Sequence, residues 1–453
     1  MMKETNGSEN TTIDIGDVER NQQLASSIRG KLRAESRWPT QCCIFRVPTT
    51  LRRHNEGAYV PSIVSIGPFH DRGDKNLEEM ERVKLWYLDS LLLRSPTAQT
   101  SLECFVSAIR KIEPNCRACY AEQLINLSCD QFVEMMVVDG CFIIELFRKY
   151  KKKDLRHKAD PLFNMSWMRL ALAHDMLLLE NQLPWEVLEV LWNLTTRHTR
   201  DQRDTNFSAQ KEDRQHVDPL DIHALRFFST AMLTVAPEPH KRSTNKHLLD
   251  FLRNSLLSSF TDMTLEETSW EPIPCVTELL QAGVRFEVGN KNDLLNIKFN
   301  NGVMRIPPIF IQENAESLFR NLIAFEQCDH SCYNKITSYA IILDSLINSS
   351  EDVDFLRERG IIRNSLSTED VAGFFHRLYN GAGVDNFAYA KLCKDLNNYS
   401  ETPWHRWQAI LKRDYFNTPW AILSFSAAIL ILGFTFIQTL LAVFSYSDPF
   451  RRS

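Results

Sequence analysis

Five carboxylates in this chain sit among apolar neighbours, where an ionised group is costly unless it has a task or a partner. Asp139 and Glu145 lie within Val138–Glu145, Asp175 and Glu180 within His174–Asn181, and Glu326 follows Ala324 and Phe325. Buried carboxylates with displaced pKa values serve as general acids and bases. They equally satisfy helix ends, or pair with cations such as Arg46 and Arg52 in a structural network. No nucleophile or metal motif adjoins them, which favours the structural role. His174 beside Asp175 offers an oriented base, but consecutive residues on a helix face different directions.

Sulfur supplies the other candidates. Cys116 and Cys119 have the spacing of a metal half-site or a redox pair, and Cys328, His330 and Cys332 cluster three donors. A structural zinc site normally takes four ligands, and a redox pair is expected at a helix start after a strand. Pro114 permits a helix start there, but no strand precedes it. The eleven cysteines are odd in number and scattered, unlike the dense framework of a small secreted domain. Reduced thiols in packing positions are the expectation, with no catalytic residue, metal or cofactor. The chain carries no glycine-rich phosphate loop, no Gly-x-Ser-x-Gly and no His-Glu-x-x-His. A basic run, Arg148 to Lys153 continued by Arg156, His157 and Lys158, reads as a solvated helix end. Acidic lipid headgroups are its other reading. A net charge of −5 argues against wholesale nucleic-acid binding.

The elements that must position these groups are mostly helical. At 453 residues, 44% hydrophobic and 24% charged, the chain has material for two or three structural units with a sizeable core. Residues 1–40 are polar and read as a disordered lead with a short helix between Asp17 and Leu32. Residues 41–194 form a first helical part. Pro48, Pro61 and Pro68 confine its start to extended and turn conformations, with short β pieces at Ile44–Val47 and Ile63–Ile66. Helices follow at Leu77–Leu93, with Lys84 extending to the rim, at Ser101–Leu127 with a break at Pro114, at Gln131–Tyr150, at Trp167–Asn181, and from Pro184 to Leu194. Residues 195–220 lose nearly all apolar side chains and read as an exposed insertion or linker.

The second part, 221–414, resumes with helices at Ile222–Leu233, Lys246–Ser258 and Pro274–Ala282. Alternating residues near 284–306, with a turn at Asn300–Gly302, predict a small antiparallel sheet. Helices at Glu316–Cys328, Tyr333–Asn348, Ser350–Arg359, Thr368–Asn380 and around Trp404–Lys412 complete it. Ser350 and Thr368 are the expected N-caps.

From Tyr415 to Ser447 there is no charged residue. A bilayer core is roughly 30 Å thick and takes about 20 apolar residues in a helix to cross. Ala421 to Phe444 meets that length, with Trp420 and Tyr446 at the ends, where amphipathic rings favour the headgroup layer. The fold class is therefore mainly α: a multi-helix globular body with a small antiparallel β element, plus one C-terminal transmembrane helix at 415–447 and a short tail at 448–453. The polar N-terminus does not resemble a secretory signal peptide, so the expected topology is tail-anchored with a cytosolic body. Sequons at Asn126, Asn164, Asn193, Asn206, Asn348 and Asn398 favour an extracellular body instead. Arg406, Lys412 and Arg413 before the span and Arg451 and Arg452 after it barely choose.

Several strings together resemble the plant domain-of-unknown-function 247 family. They are Ile44–Pro48, Tyr59–His70, Asp139–Phe142, Asp175–Pro184, Asn321–Cys328, Asp352–Ile362 and Tyr415–Trp420, in order over nearly all of Cys43–Tyr446. The resemblance implies a mostly helical plant protein, membrane-associated through its C-terminal helix, with no established catalytic residues to carry over. Some grass members are linked to recognition in pollen self-incompatibility, which is available here by analogy only. The resulting expectation is a non-enzymatic recognition or signalling protein. Its partners would be membrane lipid, through the span, and an unidentified protein, with no nucleic acid. The alternatives are an enzyme using Asp139, Glu145, Asp175, Glu180 and Glu326, and a structural metal module on Cys328, His330 and Cys332.

Overall fold

The computed structural model describes residues 15–35, 42–70, 75–94, 100–196, 219–231, 245–258, 260, 270–291, 293–312, 314–364, 366–402 and 419–446. Helix α1 (Ile15–Glu35) covers the interval of the short helix expected near the N-terminus and carries Leu24 and Ile28 exposed. The body then assembles from α2 (Lys75–Arg94), α3 (Leu102–Ala118) and α4 (Cys129–Lys151). Ser128 and Gln131 cap the start of α4 reciprocally, satisfying two orphan N–H groups. Phe132, Met136, Cys141, Phe142, Ile144 and Phe147 are fully buried, on several sides of α4. A helix apolar all round belongs in a core. It packs against α2, α3, α6 (Trp185–Thr196) and α7 (Leu220–Ala231). The approach to α6 is close at Gly140, where a Cβ would stand 2.6 Å from Leu191 Cδ1 and 3.2 Å from Val187 Cγ1.

Two helices differ from the sequence reading. Helix α3 runs through Pro114 to Ala118 without a break. A proline removes one i→i−4 bond, and the burial of Phe105, Ile109 and Cys116 on the inner face holds the turns either side of it. The helix expected to reach Asn181 ends sooner: α5 spans Ser166–Asp175. The next residues reverse direction because side-chain amides take the carbonyls a helix would use. Asn181 Nδ2 donates to Asp175 O at 2.8 Å, and Gln182 Nε2 donates to Met176 O and Leu178 O at 2.9 and 2.8 Å.

The second half contains α8 (Leu248–Leu256), α9 (Val276–Gln281), α10 (Ala315–Cys328), α11 (Lys335–Leu346), α12 (Ser350–Glu358), α13 (Thr368–Leu378) and α14 (Ala390–Glu401). Ser349 and Ser367 cap α12 and α13, each one residue before the expected cap. The sheet is mixed rather than purely antiparallel. Strand β3 (Val303–Ile306) pairs antiparallel with β2 (Lys298–Asn300), as the turn signal implies, while β1 (Arg285–Val288) joins β3 in parallel. Asn301 and Gly302 both have positive φ, 51° and 72°, the signature of a type I′ hairpin turn. A second, parallel pair, β4 (Ile309–Ile311) with β5 (Ile362–Asn364), lies outside the expected sheet.

One buried cluster runs from Cys43 to Leu396 and draws on both halves of the body. Most of the 195–220 insertion and the helix expected around Trp404–Lys412 lie outside the described residues. Helix α15 (Pro419–Tyr446) carries Trp420, Ala421, Phe444 and Tyr446. Its segment Leu423–Phe444 is the one helix among the described residues long and apolar enough to cross a membrane, and none of its most apolar window is buried inside the protein.

Candidate functional site

The five carboxylates are all buried, and each is held by its own partners. Asp139 accepts from Lys84 Nζ at 2.9 Å and from the Gly67 N–H at 2.9 Å. Lys84 does not reach the rim. It is wholly buried, donating also to Ser65 O and to Glu81 at 2.5 Å. Glu145 is paired with Arg94. Glu180 accepts from the Val47 N–H at 2.7 Å and is paired with Arg52 and, at 3.4 Å, Arg46. Glu326 accepts from both Nε and Nη2 of Arg253 at 3.0 and 2.8 Å. It also accepts from the Ile336 and Thr337 N–H groups at 3.0 and 2.9 Å, so it caps the start of α11, where an anion suits the helix dipole.

Asp175 is the most heavily bonded. It accepts from three successive N–H groups, those of Ser62, Ile63 and Val64, at 2.7–3.0 Å. It also meets His174, although adjacent residues within a helix point apart. His174 Nδ1 lies 3.0 Å from Asp175 Oδ1 and its Nε2 lies 2.8 Å from Ser317 Oγ. At the last turn of α5 the two side chains fold back on each other. Ser317, His174 and Asp175 thus have the connectivity of a nucleophile, base and orienting carboxylate. The surroundings argue for a structural bridge. Ser317 also donates to Ala58 O at 2.7 Å, it is 8% exposed, and Asp175 is occupied by backbone donors. The row ties α5 and α10 to the 58–64 segment.

The buried Lys149 corrects the reading of the basic run. Lys149 Nζ is 3.2 Å from Asp160 and lies over the Trp86 and Tyr87 rings at 4.6 and 3.7 Å from their centroids. Tyr87 donates to the same carboxylate at 2.9 Å, and burial followed by that neighbouring charge pushes its phenol well above the usual range. Lys152, Lys153 and Lys158 are exposed.

A cleft of about 260 Å³ opens elsewhere, between the two halves of the body. It is lined by Cys42, Cys43 and Cys119, by Trp185 and Glu186 at the start of α6, and by Lys246, Asp329, His330 and Ser331. None of the five carboxylates lines it. Lys246 Nζ is 2.5 Å from Asp329 and 2.7 Å from Ser331 Oγ. Burial alone would lower the Lys246 ammonium, but the Asp329 hydrogen bond and charge raise it above its usual value. Burial likewise works against Asp329, and the hydrogen bonds from Lys246 and Ser331 bring its carboxyl below the usual range. Beneath the cleft His247 is fully buried, with Nε2 donating to Cys43 O at 3.0 Å and Nδ1 accepting from the Asp250 N–H at 3.2 Å. Burial pushes it down to about 3.

His330 faces this cleft, but Cys328 and Cys332 do not line it. Burial raises those thiols to about 12 and about 11, the wrong direction for thiolate ligands. Among the described residues no group of three or more His, Cys, Asp or Glu side chains is arranged to hold a metal ion. All eleven cysteines are free. Cys116 points into the core, while Cys119, its partner in the spacing motif, is half-buried and meets Cys43. That meeting joins residues 76 apart in sequence, and local spacing carries no signal for it.

Residues 44–434 match the family described as plant protein of unknown function, DUF247. The chain belongs to this family. Two Arabidopsis thaliana proteins are similar along nearly the whole length. The UPF0481 protein At3g47200 is 29% identical over 94% of this chain and 91% of its own. The putative UPF0481 protein At3g02645 is 24% identical over 90% of this chain and 91% of its own. No solved structure matches. The family match ends within α15, so it takes in the body and part of the apolar helix together.

Proposed function

We propose that this DUF247 protein is a single-pass membrane-anchored component of protein recognition or signalling, and that it acts without catalysis of its own. The observation that carries the reading is Leu423–Phe444, an apolar helix of 22 residues with none of its most apolar window covered by the body. A helix so exposed in water would be an aggregation site, and lipid is the solvent that suits it. The body spends its buried charges on structural pairs, and its cleft is lined by other residues. That favours a protein whose output is a surface. The partners are membrane lipid, through α15, and a protein bound by the body, with no nucleic acid. Recognition of the self-incompatibility type is an analogy within this reading.

The body faces the cytosol, as in a tail-anchored topology. Its eleven free thiols suit a reducing compartment. Removing residues 419–446 from the protein expressed in plant cells should move it from the carbonate-resistant membrane fraction to the supernatant. Retention in the membrane would refute the anchor. Glycosidase treatment separates the two orientations, because Asn126, Asn193, Asn348 and Asn398 are exposed. No mobility change is expected, and a shift would place the body on the extracellular side. Proximity labelling from the anchored protein should recover a stable protein neighbour that is lost with the helix.

A further inference from the structure

The residue pair that the functional reading leaves unused is Cys43 and Cys119. The chain reaches the cleft at Cys42 and there runs beside the end of α3. The N–H groups of Cys43 and Ile44 both donate to Cys119 O, at 2.8 and 2.9 Å, the Ala121 N–H returns a bond to Ile44 O at 3.0 Å, and Ile44 bridges Tyr120. Backbones paired this way lie about 5 Å apart, within the roughly 4.4–6.8 Å between Cα atoms that a disulfide spans. The two thiols face each other across this pairing, near enough to raise Cys43 and lower Cys119, and Cys119 Sγ donates to Asn115 O at 3.4 Å. Both line the cleft.

We propose that Cys43 and Cys119 are a reversible dithiol–disulfide pair, a modification site open to peroxide through the cleft. The roles differ by position. Cys119 is half-buried at the cleft wall, whereas Cys43 is 4% exposed, so Cys119 meets the oxidant and Cys43 resolves. The neighbouring Cys43 lowers Cys119, against burial and the Glu186 charge, which raise it. The Cys119 thiol gives its proton to solvent, and the thiolate attacks one oxygen of hydrogen peroxide. The O–O bond breaks, sulfenic acid forms, and the departing hydroxide takes up a proton to become water. Cys43, on losing its own proton, then attacks the Cys119 sulfur. The S–S bond forms, the S–O bond breaks, and the leaving hydroxide is protonated to a second water. Two thiols are oxidised and one peroxide is reduced. Cys116, one turn earlier, is buried and faces the core, and burial raises its thiol, so it does not compete.

The product would clamp the 42–44 segment to the end of α3. Because His247 donates to Cys43 O from α8, the clamp also bears on the floor of the cleft. The proposal does not depend on the membrane anchor. The test uses the full-length protein in native membranes, exposed to hydrogen peroxide at a few equivalents, alkylated, digested without reduction and mapped by mass spectrometry. The expected result is a Cys43–Cys119 cross-linked peptide that disappears on treatment with dithiothreitol. Recovery of both residues as alkylated thiols would overturn the proposal, as would a cross-link from Cys119 to Cys42 or Cys116 instead. Cys43→Ser supplies a second readout. Dimedone should capture Cys119 sulfenic acid at least fivefold more in this variant than in wild type, since nothing resolves it. Equal capture would overturn the resolving role of Cys43.

Discussion

Breaking the Asp139–Lys84 pair tests most directly whether the buried charges hold the fold together. Both side chains are fully buried and 2.9 Å apart. Asp139→Asn keeps the shape and an acceptor for the Gly67 N–H but leaves a buried ammonium with only Glu81 and Ser65 O. Removing one member of a buried ion pair typically costs about 3–5 kcal/mol. Lys84→Met takes the cation from the carboxylate, which keeps the Gly67 N–H, and should cost a similar amount. The double variant removes both charges; the buried Ser65 O loses a donor, worth about 1–3 kcal/mol, and the partly exposed Glu81 loses its ion pair, worth less. It should therefore be more stable than the sum of the singles implies, by roughly 2–5 kcal/mol of coupling. With an unfolding entropy of about 2 cal/mol/K per residue over roughly 400 residues, each single variant should lower Tm by about 4–6 °C. The assay is thermal and urea unfolding of the full chain in mild detergent. Additive losses, within about 0.5 kcal/mol, would refute the pairing argument. A neutral or stabilising Asp139→Asn would point instead to a carboxylate kept for chemistry, since functional sites are commonly maintained at a cost in stability.

Three further outcomes follow from particular contacts. Burial lowers His247 from 6.5 to about 3. Its neutral form therefore contributes stability in full above pH about 6.5, and this is lost as pH falls towards about 3, to a ceiling of about 5 kcal/mol at about 1.4 per unit. His247→Gln should flatten the fall in urea midpoint between pH 6.5 and 4, and an unchanged slope would exclude His247 as its source. Gly67 has a φ of +73°, and a Cβ there would stand 2.6 Å from Gln182 O. Gly67→Ala should cost about 2 kcal/mol or more in the same urea assay, and a neutral result would contradict the turn geometry. An arginine at the middle of a spanning helix costs about 2.5–3.5 kcal/mol of insertion, so Leu432→Arg should lower the carbonate-resistant fraction while Leu432→Ile leaves it unchanged.

The helices are legible in the sequence because their apolar residues repeat at helical spacing and their ends carry recognisable caps. Ser128 and Gln131, three residues apart at the head of an apolar run, mark the start of α4 by residue type alone. What sequence does not carry is the identity of partners. Lys84 and Lys149 look like rim residues until Asp139 and Asp160 arrive from 55 and 11 residues away. The parallel pairings of β1 and β5 escape a sequence reading because short-range turn signals announce only antiparallel hairpins. Helix α14 escapes it too. Its stretch, Ala390–Glu401, is polar overall, and although the buried Leu392, Cys393 and Leu396 fall at helical spacing, that apolar stripe is short. The contact between Cys43 and Cys119 depends on how the 42–44 segment lies along α3, which neither sequence environment encodes.

The strings that mark the family also explain why so many polar side chains are buried. Residues 44–70 contain three prolines and only two short helical turns, Thr49–Arg52 and Glu56–Tyr59, yet Ile44, Val47, Val64 and Ile66, outside those turns, are in the core. Their backbone N–H groups need acceptors that a helix or sheet would otherwise provide. The Asp175–Gln182 turn provides many of them. Glu180 takes the N–H of Val47, Asp175 those of Ser62 to Val64, and Asn181 Oδ1 that of Ile66 at 2.6 Å. Asn321, from another family string, accepts from the Leu179 N–H and donates to Ala58 O, at 2.9 and 2.8 Å. The two extended and turn segments thus solve each other's hydrogen-bonding problem, and the acids that looked like candidate catalysts are the acceptors of that solution. The interior around these acids is thus committed to shape, and under the proposed function the exposed faces of the body are what remain to meet a partner.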